Sequence, residues 1–192
     1  MPQEIEIEFK NLLTEAEFDT LYTIFKMEKE PEIQQVNHYF ETKDFQLKQH
    51  GAALRIREKN GEYQSTLKQP YEDGLLETHD SLTAEQANAW IQGEITLGPE
   101  IRKQLQELGI STEELAYGGC LKTTRRETAY HDTTVVLDRS EYGDRVDYEL
   151  ELEAKTFAHG QSVFQTILAD YNVTKRKTPN KIQRFYDSLE NR

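Results

Sequence analysis

Cysteine is almost missing from this 192-residue chain, which has only Cys120. One thiol closes no internal disulfide and makes no structural zinc site, so a disulfide-stapled or zinc-organised fold is excluded. The composition fits a reducing compartment, and the cytoplasm is the expected location. Long apolar runs are also missing. No stretch of about 18 apolar residues occurs, and no basic segment followed by an apolar run opens the chain, so neither a membrane span nor a signal peptide is expected. Basic charge is scarce, with 23 Lys and Arg against 35 Asp and Glu and a net charge of −12. That balance argues against a general nucleic-acid or anionic-membrane surface, while leaving local basic sites open. No GxxxxGK[ST] or GxGxxG run exists, which removes P-loop and Rossmann phosphate binding. The five histidines, His38, His50, His79, His131 and His159, show no metal-ligand spacing and are expected at the surface or in simple hydrogen bonds.

What the chain has in quantity is charge, 30% of residues against 36% hydrophobic, and some of it is expected inside. The first run, EIEIEFK, alternates apolar and polar residues as a strand does, and TEAEFDTLYTIF after it opens on Thr14 and Glu17 as a helical capping box. Residues 33–42 read as a second strand, followed by an irregular or helical stretch around DFQLKQHG. Two further strands meet at Lys59-Asn60-Gly61-Glu62, since Asn-Gly is a strong hairpin signal, and LLETHDSL follows an Asp73-Gly74 turn. From 83 to 114 the spacing turns helical, with Pro99 suited to a first turn; this is a helical insert between two strand groups. LKTTRRETAY, TTVVLDRS and RVDYELELEAKT then read as a three-strand meander with a turn at Gly143-Asp144. Helices are expected at QSVFQTILADY and in TPNKIQRFYDSLENR. The whole, 1–192, reads as a single α+β domain: an eight-stranded antiparallel β-barrel with helices packed outside.

Strand parity carries the functional reading, because residues i and i+2 share a face about 7 Å apart. Glu4, Glu6, Glu8 and Lys10 share one face of the first strand. Arg55, Arg57 and Lys59 share one face of their strand, with Gln64, Thr66 and Lys68 likewise on the next. In the last strand Asp147, Glu149, Glu151 and Glu153 form a row opposite Tyr148, Leu150 and Leu152. Rows of like charge repel, and more so when enclosed. Any one row could be a solvated outer face. Together, however, the apolar rows behind them need cover, which helices supply from outside, and the charged rows then line the barrel. Separate cationic and carboxylate sectors suit a metal-bound polyphosphate: Arg and Lys grip phosphate oxygens, and clustered carboxylates give hard oxygen ligands to Mg²⁺ or Mn²⁺.

At this point the sequence resembles the CYTH domain, or triphosphate tunnel metalloenzyme, family. Glu6-Ile-Glu8-Phe-Lys10 is similar to its ExExK motif, and the resemblance continues through HYFET, GAALRIRE, TLKQ, VVLDRS, YELELE and PNKIQRF. The resemblance implies a tunnel that binds triphosphate compounds with divalent metal ions. Position by position it implies Glu6, Glu8, Asp138, Glu149 and Glu151 as metal ligands, with Glu153 a further candidate. It implies Lys10, Arg55, Arg57, Lys68, Arg125 and Lys181 as substrate contacts, with Lys10 and Arg57 carrying catalysis. Arg125 and Arg126 point to opposite faces, and the register is left open with Arg125 favoured. Glu77 is a plausible tunnel residue, Arg184 a support for Lys181 or a surface ion pair, and Glu4 a mouth residue or a participant. Asn37 and Asn180 depart from the family's usual residues. The expected activity is a metal-dependent phosphohydrolase on the terminal phosphate of a small-molecule triphosphate. The alternatives are an adenylate cyclase on the same fold and a noncatalytic polyphosphate sensor. The oligomeric state is not legible.

Overall fold

A computed structural model describes residues 3–190. Its elements run β1 Gln3–Leu13, α1 Glu15–Ile24, β2 Ile33–Thr42, α2 Gln46–Gln49, β3 Ala53–Lys59, β4 Glu62–Tyr71, β5 Gly74–Leu82, α3 Ala84–Ile91 and α4 Pro99–Glu107. They continue as β6 Leu115–Tyr130, β7 Thr133–Tyr142, β8 Arg145–Ala154, α5 Phe157–Asp170 and α6 Lys181–Glu190. Hydrogen-bonded neighbours follow the order β1-β5-β4-β3-β2-β6-β7-β8 and close into a barrel, with the pairings β1–β8, β2–β3, β3–β4, β4–β5, β6–β7 and β7–β8 antiparallel. The expected α+β barrel is therefore present.

The local signals explain most boundaries. Thr14 and Glu17 cap α1 reciprocally, and Thr83 with Gln86 does the same for α3. Asn60 and Gly61 turn between β3 and β4 with φ of 54° and 78°, the left-handed pair that a tight hairpin requires. One turn differs from expectation. Gly74 is the first residue of β5, paired with Tyr71, and Glu72 takes the left-handed conformation at φ 47°. The ladder Lys68↔Glu77 and Thr66↔His79 fixes which two residues are left over for the loop, so sheet register overrides the Asp-Gly preference. β6 is longer than its sequence signal, beginning at Leu115, and α5 begins earlier, at Phe157.

By compactness the chain divides into two units, Met1–Ile5 with Gln35–Leu121 and Glu6–Gln34 with Lys122–Arg192. In the first, Phe40, Leu54, Ile56 and Leu67 pack under Leu47 of α2, Trp90 of α3 and Ile101 and Leu105 of α4. Trp90 meets Phe40 edge-on at 5.3 Å and donates to the Thr96 carbonyl at 3.2 Å. In the second, Val135, Leu137, Leu150 and Leu152 pack under Leu21 of α1 and Phe164 and Ile167 of α5, and Phe9 stacks between Phe157 and Phe164. Each buried side chain of this size contributes about 1.5–3 kcal/mol. A one-residue slip would forfeit the whole apolar row, so helices claim that parity and the charged parity faces the inside of the barrel. No helix among the described residues is long and apolar enough to cross a membrane.

Candidate active site

In the second unit the register stacks charge on charge. Glu8 lies opposite Glu153, Lys10 opposite Glu151, Asp138 opposite Glu149, and Arg125 opposite Asp138. Four strands thus present one inward cluster. Arg125 donates to Asp138 through Nε at 2.8 Å and Nη2 at 2.7 Å, and Nη2 also reaches Glu151 at 2.5 Å. Lys181, the first residue of α6, sits 2.8 Å from Asp138 and 3.5 Å from Glu149 and also pairs with Glu151. Arg184, one turn on, contacts Asp147 at 3.0 Å, bonds Glu149 and donates to the Pro179 carbonyl at 2.6 Å.

Asp138 is fully buried and Glu149 is 1% exposed, so their charge states depend on these cations. Burial would raise the Asp138 carboxyl, but Arg125 and Lys181 outweigh it and hold it below its ordinary value. Burial does raise Glu149, against the pull of Lys181 and Arg184, and it raises Glu153 against Arg125. Lys181 is pushed upward, since Asp138, Glu149 and Glu151 outweigh the burial that disfavours its charge, and Arg125 rises for the same reason. Glu149 Oε1 is buried with no hydrogen-bond partner among the described residues. That oxygen faces the Lys181 ammonium at 3.5 Å and sits amid other hard oxygen donors. The chemistry of the carboxylates of Asp138, Glu149 and Glu151 fits a divalent cation.

Glu6 and Glu8 are half-buried on the same parity as Lys10, whose Nζ lies 3.3 Å from Glu8 and also bonds the Asn180 side chain. The side chain of Glu153 is 3.9 Å from Arg125. Arg126 goes to the other face, where its guanidinium donates to the Met27 carbonyl at 3.1 Å, to that of Glu30, and to Glu32. The two adjacent arginines are thus separated by parity, with Arg125 inward.

The first unit carries the basic row. Arg55 and Arg57 of β3 share a face with Lys68 of β4, by the register Arg55↔Thr66, Arg57↔Gln64 and Ala53↔Lys68. Lys68 lies 2.9 Å from Glu77 and Arg55 lies 4.0 Å from the same oxygen. Arg57 Nε donates to Asn37 at 3.1 Å, so the asparagine that departs from the family pattern directs an arginine. Arg55 Nε is buried without a hydrogen-bond partner among the described residues, a donor suited to an anionic oxygen. Lys59 is exposed at the hairpin. A cavity of about 610 Å³ borders this wall, lined by Arg57, Lys59, Gln64, Ser81 and Thr83 among others.

Three features went beyond the sequence reading. Arg184 is 8% exposed and clamps Glu149, which excludes a surface ion pair; the i, i+3 spacing from Lys181 was its available signal. Glu77 is 6% exposed and neutralises Lys68. His79 is hydrogen-bonded, as expected, to Thr66 and Glu4, and with Glu4 and Glu77 it also forms a group whose ligand atoms lie within 4.8 Å of one another. The i, i+2 spacing of Glu77 and His79 hinted at this; the approach of Glu4 did not.

Comparison with known proteins gives a consistent picture. The model of the CYTH domain matches residues 4–186. A Bacillus subtilis (strain 168) protein named "Putative triphosphatase YjbK" is 43% identical over 187 residues, 97% of each chain. The crystal structure of a Bacillus halodurans protein, named a "putative adenylate cyclase", superposes with a TM-score of 0.92 at 39% identity, over 97% of this chain and 100% of that one. HpAC1 from Hippeastrum superposes with a TM-score of 0.76 over 95% and 96% of the two chains, and at 21% identity that likeness shows the fold.

Proposed function

Because this chain belongs to the CYTH domain family, we propose that it is a divalent-metal-dependent triphosphatase releasing the terminal phosphate of a small-molecule triphosphate. The observation that carries this reading is the buried carboxylate cluster around Glu149, whose Oε1 has no hydrogen-bond partner among the described residues, set among Lys181, Arg125 and Arg184. Such a cluster is unnecessary for simple anion binding. The relative named a triphosphatase adds to it across 97% of the chain.

Asp138, Glu149, Glu151, Glu6 and Glu8 would hold Mg²⁺ or Mn²⁺. When bound, such ions would neutralise phosphate charge, polarise the phosphoryl group and lower the pKa of an attacking water. The protein's own part is positioning and charge. Arg55, Arg57 and Lys68 grip phosphate oxygens, with the planar guanidinium groups able to bind two at once. Asn37 fixes the Arg57 fork through Nε. Arg125 and Lys181 hold Asp138 ionised and stabilise charge that moves onto the leaving diphosphate. Lys10, beside Glu8 and Asn180, orients the reactive end. No covalent intermediate is needed, because a phosphoryl transfer of this kind is catalysed by alignment and electrostatics.

The test is a product assay with Mg²⁺ and with Mn²⁺ on inorganic triphosphate, ATP and thiamine triphosphate, using wild type, Glu8→Gln and Glu151→Gln. Metal-dependent orthophosphate release that both variants abolish is the expected result. Cyclic AMP with pyrophosphate would replace this reading by a cyclase, saturable binding without product by a sensor, and full activity of both variants would overturn the ligand assignment.

A further inference from the structure

His79 is held on both sides. Its Nδ1 lies 3.0 Å from Thr66 Oγ1, across the β4–β5 ladder. Its Nε2 faces two carboxylate oxygens, Glu4 Oε1 at 3.1 Å and Glu77 Oε2 at 3.4 Å. Glu77 spends its other oxygen on Lys68 at 2.9 Å. The side chains of His79 and Glu77 are 12% and 8% exposed, whereas that of Glu4 is 67% exposed. Thr66 fixes the ring through Nδ1, so Nε2 converges with the two carboxylate oxygens: it donates a proton to them as the trio stands, or turns its lone pair to a cation held among the three.

We propose that Glu4, Glu77 and His79 form a second cation site for a transition-metal ion such as Zn²⁺ or Mn²⁺, separate from the carboxylate cluster of β7 and β8. The geometry fits. Two donors each ~2.1 Å from one ion are roughly 3.0 Å apart at octahedral angles and roughly 3.4 Å apart at tetrahedral ones. The observed separations of 3.1 and 3.4 Å match that range, and all three ligand atoms lie within 4.8 Å of one another. Both buried ligands also carry the outer partner that orients a metal ligand, Thr66 on the imidazole and Lys68 on the carboxylate. One nitrogen and two oxygens favour Zn²⁺, Mn²⁺ or Co²⁺ over Mg²⁺, which prefers an all-oxygen shell. The exposure of Glu4 leaves the outer side to water, so the ion exchanges freely rather than being locked in. A consequence, resting on the triphosphatase reading, is that a cation on Glu77 releases Lys68 and Arg55 toward phosphate and lowers KM.

The binding itself is tested without activity. In a Glu151→Gln background, which weakens the other cluster, Co²⁺ and Zn²⁺ titrations by calorimetry and the Mn²⁺ electron spin-echo spectrum are recorded on the full chain. One equivalent bound, with an imidazole nitrogen coupled to Mn²⁺, is expected. His79→Gln and, separately, Glu4→Gln should each weaken that binding by at least about tenfold, and Glu4 is exposed enough that its replacement leaves folding intact. Absence of the nitrogen coupling, unchanged affinity in both variants, or a doubly protonated His79 imidazole at neutral pH with excess Zn²⁺ present would overturn the site. Metal-dependent orthophosphate release by the chain with Glu151 intact, alongside such a result, would leave the triphosphatase reading standing.

Discussion

Lys181 offers the sharpest perturbation, because its ammonium stands among three carboxylates that exclude water. Asp138, Glu149 and Glu151 have side chains 0%, 2% and 8% exposed, and they are matched by Arg125, Lys181 and Arg184. Replacing Lys181 by methionine preserves length and apolar stem but leaves three carboxylates facing two cations. Removing one member of a buried pair costs about 3–5 kcal/mol; because two guanidinium groups stay in place, about 3 kcal/mol is expected. For a chain of this size that is roughly 6–12 °C in Tm. A divalent ion bound by the same oxygens should restore most of it, since ligand at 100 times Kd contributes about 2.7 kcal/mol. Wild type should gain less, because the ion must first displace the ammonium. Circular-dichroism melts of wild type, Lys181→Met and the exposed-lysine control Lys175→Met, in chelator and across a Mn²⁺ series, read this directly. A Lys181→Met protein that melts with wild type in chelator, or responds to Mn²⁺ no more steeply, would refute the reasoning.

Other expectations are simpler. Glu17 accepts from the Thr14 and Thr174 amides and from Arg176, and these outweigh burial to hold its carboxyl at about 2 rather than 4.5. The stability it confers is complete above the ordinary carboxylate value and lost as pH falls from there toward 2; Glu17→Gln should cost about 2 kcal/mol at neutral pH and flatten that acid limb in urea melts. Arg126→Ala should cost about 2 kcal/mol with KM unchanged, whereas Arg125→Ala should change turnover; steady-state kinetics beside melts separate the two. A Cβ at Gly160 would lie 2.5 Å from the Phe9 ring and 2.6 Å from Ala154, so Gly160→Ala should destabilise despite its helix propensity. The clash costs about 1–3 kcal/mol against a gain near 1, and a Tm at or above wild type would contradict the close approach of α5 to β1 and β8.

The sequence by itself determined the strands, the outward parity and the sign of each row. Period-2 alternation is a local property, and Ile7, Phe9, Leu54, Leu150 and Leu152 can be buried only if the charged residues between them face the other way. It also determined the Asn60-Gly61 turn and the Thr14–Glu17 cap, which need no distant partner. Tertiary pairing decided what lies beside what. The two-residue loop at Glu72-Asp73 follows from the β4–β5 ladder rather than from Asp-Gly chemistry. Arg125 turns inward because its register places it opposite Asp138, and the adjacent Arg126 is spent on backbone carbonyls of the β2 approach. Arg184 became a buried clamp on Glu149 only when α6 was docked, and Glu4 reached His79 from 75 residues away. Alternation states which face a side chain takes; register and docking between distant segments state whose charge it meets, and that is where the chemistry of this chain is set.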